Sequence, residues 1–179
     1  MSTEILTKWN IDTTHSEITF KVKHLVISTV TGKFTDFDAS LETDSEEFED
    51  ANIRFEATIN SIETGNEDRD NHLKSDDFFN AAEHPKMIFE STQFKKTGED
   101  DYRLLGNLTI RGNTQPVELK AEYGGTVQDP YGNIKAGFDV TGKINRKDFG
   151  LKWNAVTEAG NVVVSDEVKL SLNVQFVKS

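Results

Sequence analysis

The sequence lacks cysteine, and it also lacks the short motifs on which many enzymes depend. Without cysteine there are no disulfide bonds, no thiol nucleophile and no thiolate metal ligand. No glycine-rich phosphate loop and no nucleophile-elbow serine is present, and the four histidines do not have the spacing of a zinc site. The histidines are His15, His24, His72 and His84. These absences predict a protein with no catalytic residues and no cofactor.

Long apolar runs are also absent, because no stretch approaches the ~20 apolar residues of a membrane-spanning helix. The N-terminus has neither the basic start nor the apolar run of a signal peptide. We therefore expect a cytoplasmic location, or a periplasmic one if a leader has already been removed.

Positive charge is scarce, since 31 Asp and Glu residues outnumber 20 Lys and Arg residues and give a formal net charge of −11. This charge argues against a nucleic-acid partner, whose phosphates would be repelled, and against a basic anchor on a membrane surface. Solubility is the plainest interpretation of the acidic excess.

Alternating apolar and polar residues dominate the sequence. With 179 residues and no linker-like stretch, the chain is predicted to form one domain over residues 1–179. Short connections between the alternating segments indicate about eight mainly antiparallel strands, in either a two-sheet sandwich or a closed barrel. The segments are 9–11, 18–22, 32–41, 53–59, 87–91, 104–110, 117–123, 136–144 and 168–176.

Large aromatic residues crowd the predicted inner face, and glycines interrupt it. The aromatic residues are Phe20, Phe34, Phe55, Phe89 and Phe138, and the glycines are Gly106 and Gly142. Large side chains beside small ones favour an eight-stranded barrel that encloses one elongated ligand. The alternative is that the rings simply pack a core, and periodicity alone does not decide between the two.

The alternation stops at residue 64 and resumes at Met87. Thr64 and Glu67 have the spacing of a capping box, and Ser75 has the position of a second N-cap. We therefore predict one or two short helices that interrupt the sheet over residues 64–79. This insert carries three apolar side chains that need burial: Leu73, Phe78 and Phe79. Their burial would follow if the insert folds over one mouth of the barrel.

Two other connections lack the strand pattern. Residues 44–50 form an acidic run, which is typical of a solvated loop. Residues 145–166 form a long irregular segment containing Phe149, Leu151 and Trp153, and connections of that length are usually functional. We expect this segment to help to cover a barrel opening.

The charged residues allow two interpretations. Arg69 beside Asp70, and Arg146 near Asp148, have the spacing of structural ion pairs. The alternative is that either arginine meets a pyrophosphate or quinone head group near a barrel mouth, because the guanidinium fork offers several donors to one acceptor group.

A metal site is not predicted. Asp68 and His72 are four residues apart and would need a further ligand such as Asp76. Pairs of this kind are common by chance, and Ser75 is expected to start a new helix before Asp76. His24 ends its strand on the apolar face, where a core histidine is the commoner interpretation.

Four stretches of the chain resemble, in order, the motifs of the YceI-like family of polyisoprenoid-binding proteins. The stretches are Trp9-x-Ile11-Asp12-x-x-His15-Ser16 with Phe20, Val22 and His24; Gly32-Lys33-Phe34-x-x-Phe37; Asn66, Arg69-Asp70, His72-Leu73, Ser75, Asp77-Phe78-Phe79, Pro85 and Phe89-Glu90-Ser91; and Gly106-x-Leu108-Thr109-Ile110-x-Gly112 with Val117 and Leu119, continuing to Gly142-x-Ile144-x-Arg146-x-Asp148-Phe149-Gly150. The resemblance implies an all-β, lipocalin-like, eight-stranded barrel with a short helical insert and an isoprenoid chain in its lumen.

The combined hypothesis is a protein that holds a polyisoprenoid or isoprenoid quinone for storage or transfer. The partner is an isoprenoid-type lipid, no cofactor or metal is expected, and the oligomeric state is left open, with a homodimer as one arrangement. Two alternatives are an enzyme acting on a lipid head group, which would need His24 and Arg69 in contact, and a packed-core interaction module without a cavity. The predicted ligand-binding residues are Phe20, Val22, His24, Phe34, Phe55, Arg69, Leu73, Phe78, Phe79, Phe89, Leu108, Phe138, Arg146, Phe149 and Leu170.

Overall fold

The computed structural model describes residues 6–25, 27–44, 47–154 and 164–179, and most of them lie in β-strands. The strands are β1 (Thr7–Ile11), β2 (Glu17–His24), β3 (Ser28–Phe34), β4 (Phe37–Thr43), β5 (Asn52–Thr58), β6 (Ile62–Glu63), β7 (Lys86–Lys96), β8 (Asp101–Ile110), β9 (Asn113–Gln128), β10 (Ile134–Asn145) and β11 (Val164–Lys178). Within these ranges the single α-helix is α1 (Glu67–Lys74), and single-turn 3₁₀ helices lie at Thr13–His15, Ile59–Ser61 and Arg146–Phe149. No helix in the described ranges is long and apolar enough to cross a membrane.

Eight antiparallel strands close into a barrel. The ring runs β1-β4-β5-β7-β8-β9-β10-β11, and it closes because β1 pairs with β4 on one side and with β11 on the other. Trp9 lies at this closure, opposite Leu41 on β4 and Lys178 on β11. The predicted lipocalin-like barrel is therefore confirmed, and the two-sheet sandwich is excluded.

The long strand β11 joins the barrel to a side extension. One edge of β11 pairs with β10 over nearly its whole length. The other edge pairs first with β2, from Val164 to Asn173, and then with β1, from Phe176 to Lys178. Strands β3 and β6 continue outward from β2. One strand thus holds the barrel wall and the extension in a single 11-stranded sheet.

Residues 32–41 do not form the single strand that the sequence predicted. β3 ends at Phe34 and β4 begins at Phe37, because both rings point into the core and strict alternation cannot bury both. A residue of β5 holds the bend between β3 and β4, since Thr58 N donates to Asp36 O at 2.9 Å. The physical reason for the break is therefore the burial of two rings that are three residues apart.

The helical insert is confirmed as one short helix with a different cap. Asn66, not Thr64, is the N-cap of α1, and its side chain accepts from Arg69 N at 3.0 Å. Thr64 instead donates through its backbone N and hydroxyl to the carboxylate of Asp70, at 2.9 and 2.5 Å. Ser75 ends α1 rather than starting a second helix, because its hydroxyl donates back to His72 O at 2.5 Å.

The acidic connection before β5 is only partly solvated, which corrects the prediction for residues 44–50. Ser45 and Glu46 lie outside the described residues, but Phe48 is only 3% exposed. Its ring packs against Trp9, Tyr123 and Phe138 with centroid distances of 5.3–5.7 Å. The pattern of charges did not predict the burial of Phe48, because a run of acidic residues does not indicate the direction of a single apolar side chain within it.

Glycines let two large rings lie against a neighbouring strand. A Cβ on Gly32 would lie 2.2 Å from Cζ of Phe20, and one on Gly106 would lie 2.3 Å from Cζ of Phe89. Each ring therefore occupies the space above a glycine backbone rather than the middle of the barrel. The predicted neighbourhood of large and small residues is confirmed with Phe89 at Gly106, and at Gly142 the large neighbour is Leu119.

Asp12 ties the barrel closure to the hairpin between β9 and β10. Its carboxylate lies 2.8 Å from His15 Nδ1 and 3.1 Å from Lys135 Nζ, and it accepts a hydrogen bond from the Thr14 hydroxyl at 2.7 Å. Burial raises the pKa of Asp12, but the hydrogen bonds from Thr14, His15 and Lys135 outweigh burial and hold the pKa far below its ordinary value.

Asp12→Asn should lower the free energy of unfolding by roughly 1–3 kcal/mol at pH 7, because it removes the charged acceptor of these bonds. The folded-state pKa lies below the unfolded value of about 3.9, so the stabilisation is complete above about pH 5 and is lost as the pH falls. Urea unfolding at pH 7 and pH 3 should therefore show a difference between wild type and variant that shrinks in acid. The exposed Glu17→Gln is the control, and a difference that does not change with pH would contradict this role of Asp12.

Candidate functional site: an apolar cavity in the barrel

A cavity of about 360 Å³ is lined by residues of the barrel ring and of the adjoining strands β2 and β3. This volume lies in the range of about 300–1,000 Å³ found for small-molecule sites. Among the residues that the structure describes, forty line the cavity and 33 of these are apolar. The seven others are Thr19, Lys23, His24, Thr64, Arg69, His72 and Arg146. No described Asp or Glu lines it, although the whole chain carries a net charge of −11.

The insert that contains α1 covers one end of the cavity. Phe78 is buried, with its ring centroid 5.1 Å from that of His72 and 5.4 Å from that of Trp153. Phe79 is half-buried, and its ring meets the edge of Phe34 at 6.2 Å. Phe78, Phe79 and Leu73 all line the cavity. The three apolar residues of the insert therefore pack against the mouth of the barrel, with Phe78 buried and Leu73 and Phe79 partly buried.

Arg111 holds this lid to the barrel. Arg111 lies between β8 and β9 and donates through Nη1 to Asp76 O at 2.7 Å and to Phe78 O at 2.8 Å. Its Nη2 also lies 2.7 Å from the carboxylate of Asp76. One guanidinium thus joins the turn that follows α1 to the tip of a barrel hairpin.

Arg146 organises the segment on the other side of the same mouth. It is only 3% exposed and donates to the backbone carbonyls of Leu151, Trp153, Val164 and Ser165. Its ion-pair partner among the described residues is Asp166, at 3.8 Å, and not Asp148 as the spacing predicted, because the four carbonyls fix the direction of the guanidinium. Burial lowers the pKa of Arg146, and the charge of Asp166 opposes that shift.

Arg69 is the arginine with donor capacity left at the cavity. Its Nε donates to the Thr64 hydroxyl at 2.7 Å and its Nη2 to Thr64 O at 2.6 Å. Its Nη1 makes no hydrogen bond with any residue that the structure describes. Asp70 also binds Thr64, so the neighbours Arg69 and Asp70 share a common partner instead of forming the predicted ion pair.

His72 pairs across the lid and not along its helix. Its Nε2 lies 2.8 Å from Oδ2 of Asp77. Asp68 and His72 lie on successive turns of α1. The ring of His72 is held by Asp77 and by edge contacts with Phe78 and Trp153.

Fourteen of the fifteen predicted ligand-binding residues line this one cavity, and whether each of them contacts a ligand stays a prediction. Phe149 is the exception. It is 1% exposed but lies outside the lining, and its carbonyl accepts from Asn113 Nδ2 at 2.8 Å.

Sequence reasoning missed Phe94 and Trp153 among the lining residues. Phe94 follows a register shift between Ser91 and Gln93, which reverses the alternation within β7 and hides the inward position of its ring. Trp153 lies in a segment without regular structure, where no periodicity marks a direction.

The fold and the cavity together define a lipocalin-like barrel with an apolar interior. The YceI-like domain matches residues 9–176, and the chain therefore belongs to the YceI-like family. A UPF0312 protein of Staphylococcus epidermidis is 38% identical over 174 residues, covering 96% of this chain and 98% of that protein.

Solved structures have the same fold. A YceI protein of Campylobacter jejuni is 34% identical with a TM-score of 0.74, covering 88% of this chain and 90% of that one. A polyisoprenoid-binding domain from Saccharophagus degradans is 16% identical with a TM-score of 0.71, covering 96% of this chain and 98% of that one. At that identity the second similarity concerns the fold alone.

Arg146→Lys should lower the free energy of unfolding by roughly 2–4 kcal/mol, because one ammonium cannot replace a fork that serves four carbonyls. Urea unfolding measures the loss, and hydrogen exchange should show faster exchange at Leu151 and Trp153. Lys147→Met is the matched control, since Lys147 also pairs with Asp166 but is exposed and should cost no more than about 1 kcal/mol. Equal losses in the two variants would contradict the structural role of Arg146.

Proposed function

We propose that the protein binds a long apolar lipid, a polyisoprenoid or an isoprenoid quinone, inside the barrel for storage or transfer. The observation that carries this proposal is a cavity whose described lining is apolar except for seven residues. The Saccharophagus degradans domain, which shares the fold, is described as polyisoprenoid-binding, and this agrees with the proposed ligand class. The cavity argues against the alternative hypothesis of a packed-core interaction module, because that hypothesis requires that no cavity exists.

Burial of the chain supplies the binding energy. Each prenyl unit contributes on the order of 3–4 kcal/mol gross, at about 0.8 kcal/mol per methylene equivalent. Several units outweigh the cost of ordering the chain without any polar contact. A cavity lined by Phe20 on β2, Phe55 on β5 and Phe89 on β7 is sufficient for this purpose.

The polar end of the ligand is proposed to lie at the mouth covered by α1. Lys23 and Arg69 line the cavity, no described acidic residue does, and Nη1 of Arg69 has no partner among the described residues. A cationic donor at the mouth suits a quinone carbonyl or a pyrophosphate, both of which accept hydrogen bonds. Arg69 fits this role better than Arg146, because four backbone carbonyls already accept from the guanidinium of Arg146.

The proposal is binding without turnover. The enzyme hypothesis required His24 and Arg69 in contact, and no hydrogen bond or ion pair joins them in the part of the chain that the structure describes. His24 lines the cavity at the end of β2, where its backbone carbonyl accepts from Ser28 Oγ. The family and the fold of its solved relatives agree with a carrier rather than with an acid–base site.

Geranylgeraniol added to the delipidated protein should change the fluorescence of Trp153, which lines the cavity, but not that of Trp9, which does not. The chain has only these two tryptophans, so Trp9→Phe isolates the responding residue and Trp153→Phe is the matched control. Mass spectrometry of an organic extract of the purified protein identifies the natural ligand. No prenyl lipid in the extract, together with no response of Trp9→Phe to geranylgeraniol, would contradict the proposal.

The same titration tests the head-group position. Arg69→Ala should lower the affinity for geranylgeranyl pyrophosphate more than the affinity for geranylgeraniol, by about tenfold or more. The reason is that only the pyrophosphate is an anion that the guanidinium can bind. Equal weakening of both ligands would place the head group elsewhere.

Replacing Phe78 and Phe79 together with Ala should speed ligand release more than it lowers the stability of the unliganded protein. Both rings belong to the lid, which can open without global unfolding. Stopped-flow release and urea unfolding measure the two effects. Phe94→Ala, 1% exposed and stacked on Tyr102, is the core control and should cost about 3–5 kcal/mol. A comparable loss of stability with an unchanged release rate in the double variant would show that these rings do not gate the cavity.

A further inference from the structure

The end of the cavity opposite the lid is closed by two layers of aromatic rings. The floor consists of Phe94, Phe138 and Phe176, which line the cavity. Behind them lie Trp9, Phe48, Tyr102 and Tyr123, which do not line it. These seven residues are called the aromatic stopper below. Its presence means that an apolar chain entering from the lid end reaches a wall of side chains and not solvent.

Phe138 is the centre of the stopper. Its ring centroid lies within 6.4 Å of those of five other stopper residues, and the ring of Phe48 is the nearest, at 5.3 Å and nearly perpendicular. The position of Phe138 at the cavity floor therefore depends on the ring directly behind it.

Phe48 differs from the rest of the stopper because it does not belong to a strand. It comes from the connection between β4 and β5, and its ring enters the end of the barrel from outside. Its φ is 63° and that of Asp50 is 61°, both in the left-handed region that non-glycine residues rarely adopt. Asp50 N donates to Phe94 O at 2.8 Å and Tyr102 donates its hydroxyl to Glu47 O, so the barrel holds this backbone in place. The connection is thus shaped to place one ring behind Phe138.

We propose that Phe48 determines how long an apolar chain the cavity accepts. The inference rests on the proposed function and assigns the length limit of the same site to one residue. Carbons that fit between lid and stopper are buried, and carbons beyond that depth stay in water and add no affinity. Phe48 acts through Phe138, and its benzyl group is close in size to one prenyl unit. Truncating Phe48 should let the ring of Phe138 at the cavity floor move back by about the size of one prenyl unit.

Ala121 offers the opposite change. It is 1% exposed, lines the cavity, and lies opposite Tyr102 on β8 and Val140 on β10. A larger side chain there would project into the deep part of the lumen and shorten it without disturbing the connection that carries Phe48.

The test measures the affinities of geraniol, farnesol, geranylgeraniol and solanesol for the full-length, delipidated protein. Affinity for wild type should rise roughly tenfold or more per added prenyl unit until the chain fills the cavity, and then change less than about threefold. Phe48→Ala should move this break to a longer alcohol, and Ala121→Leu should move it to a shorter one. Phe37→Ala is the control, because Phe37 is a buried phenylalanine outside the lining and should leave the break where it is.

Phe48→Gly is a second variant for the case in which Phe48→Ala does not fold. Glycine adopts the left-handed backbone without strain, so this variant removes the ring while it keeps the shape of the connection. A break in wild type that does not move in Phe48→Ala or Phe48→Gly would overturn the role of Phe48, as would affinities that never level off in wild type. If no alcohol binds wild type, the proposed function itself fails.

Discussion

The closure of β1 between β4 and β11 is the constraint on which the rest of the structure depends. It turns an open antiparallel sheet into a ring without free edges, so that one face of every barrel strand looks into a common interior. The ring has eight strands, within which Phe89 lies against the backbone of Gly106, and on the adjoining strands Phe20 lies against the backbone of Gly32. The apolar cavity follows from this closure and this packing.

The two ends of the interior differ in chemistry. At one end the lid is held by hydrogen bonds from Arg111 and meets a segment organised by Arg146, and the polar lining residue Arg69 lies on α1. At the other end the stopper is aromatic throughout. In the proposed binding mode, a ligand with one polar and one apolar end lies with its head toward α1 and its tail toward Phe138. The proposed lid movement is at the polar end, because hydrogen bonds to a short insert open at lower cost than a packed aromatic cluster.

Alternation along the strands was enough to predict an antiparallel all-β fold and most of its inward-facing residues, but it did not decide between a barrel and a sandwich. Each residue of a strand points to the side opposite its neighbour, so a half-buried strand records its inward residues directly in the sequence, as β2 does with Ile18, Phe20 and Val22. The prediction failed where that rule is interrupted. The register shift in β7 moved Phe94 inward, the bend after Phe34 divided one expected strand into two, and Phe48 turned inward from a connection rich in acids.

The sequence by itself determined the class of fold, the position of the helical insert and most of the inward-facing residues, because these depend on local periodicity and on short-range capping chemistry. Only the tertiary structure decided the partner of Arg146 and the meeting of Phe48 with Phe138 across the barrel end. Contacts of that kind join segments that are distant along the chain, and local patterns do not record which of several distant neighbours a side chain will reach. The cavity belongs to the same category, since its volume is the space that remains after all eight strands have packed.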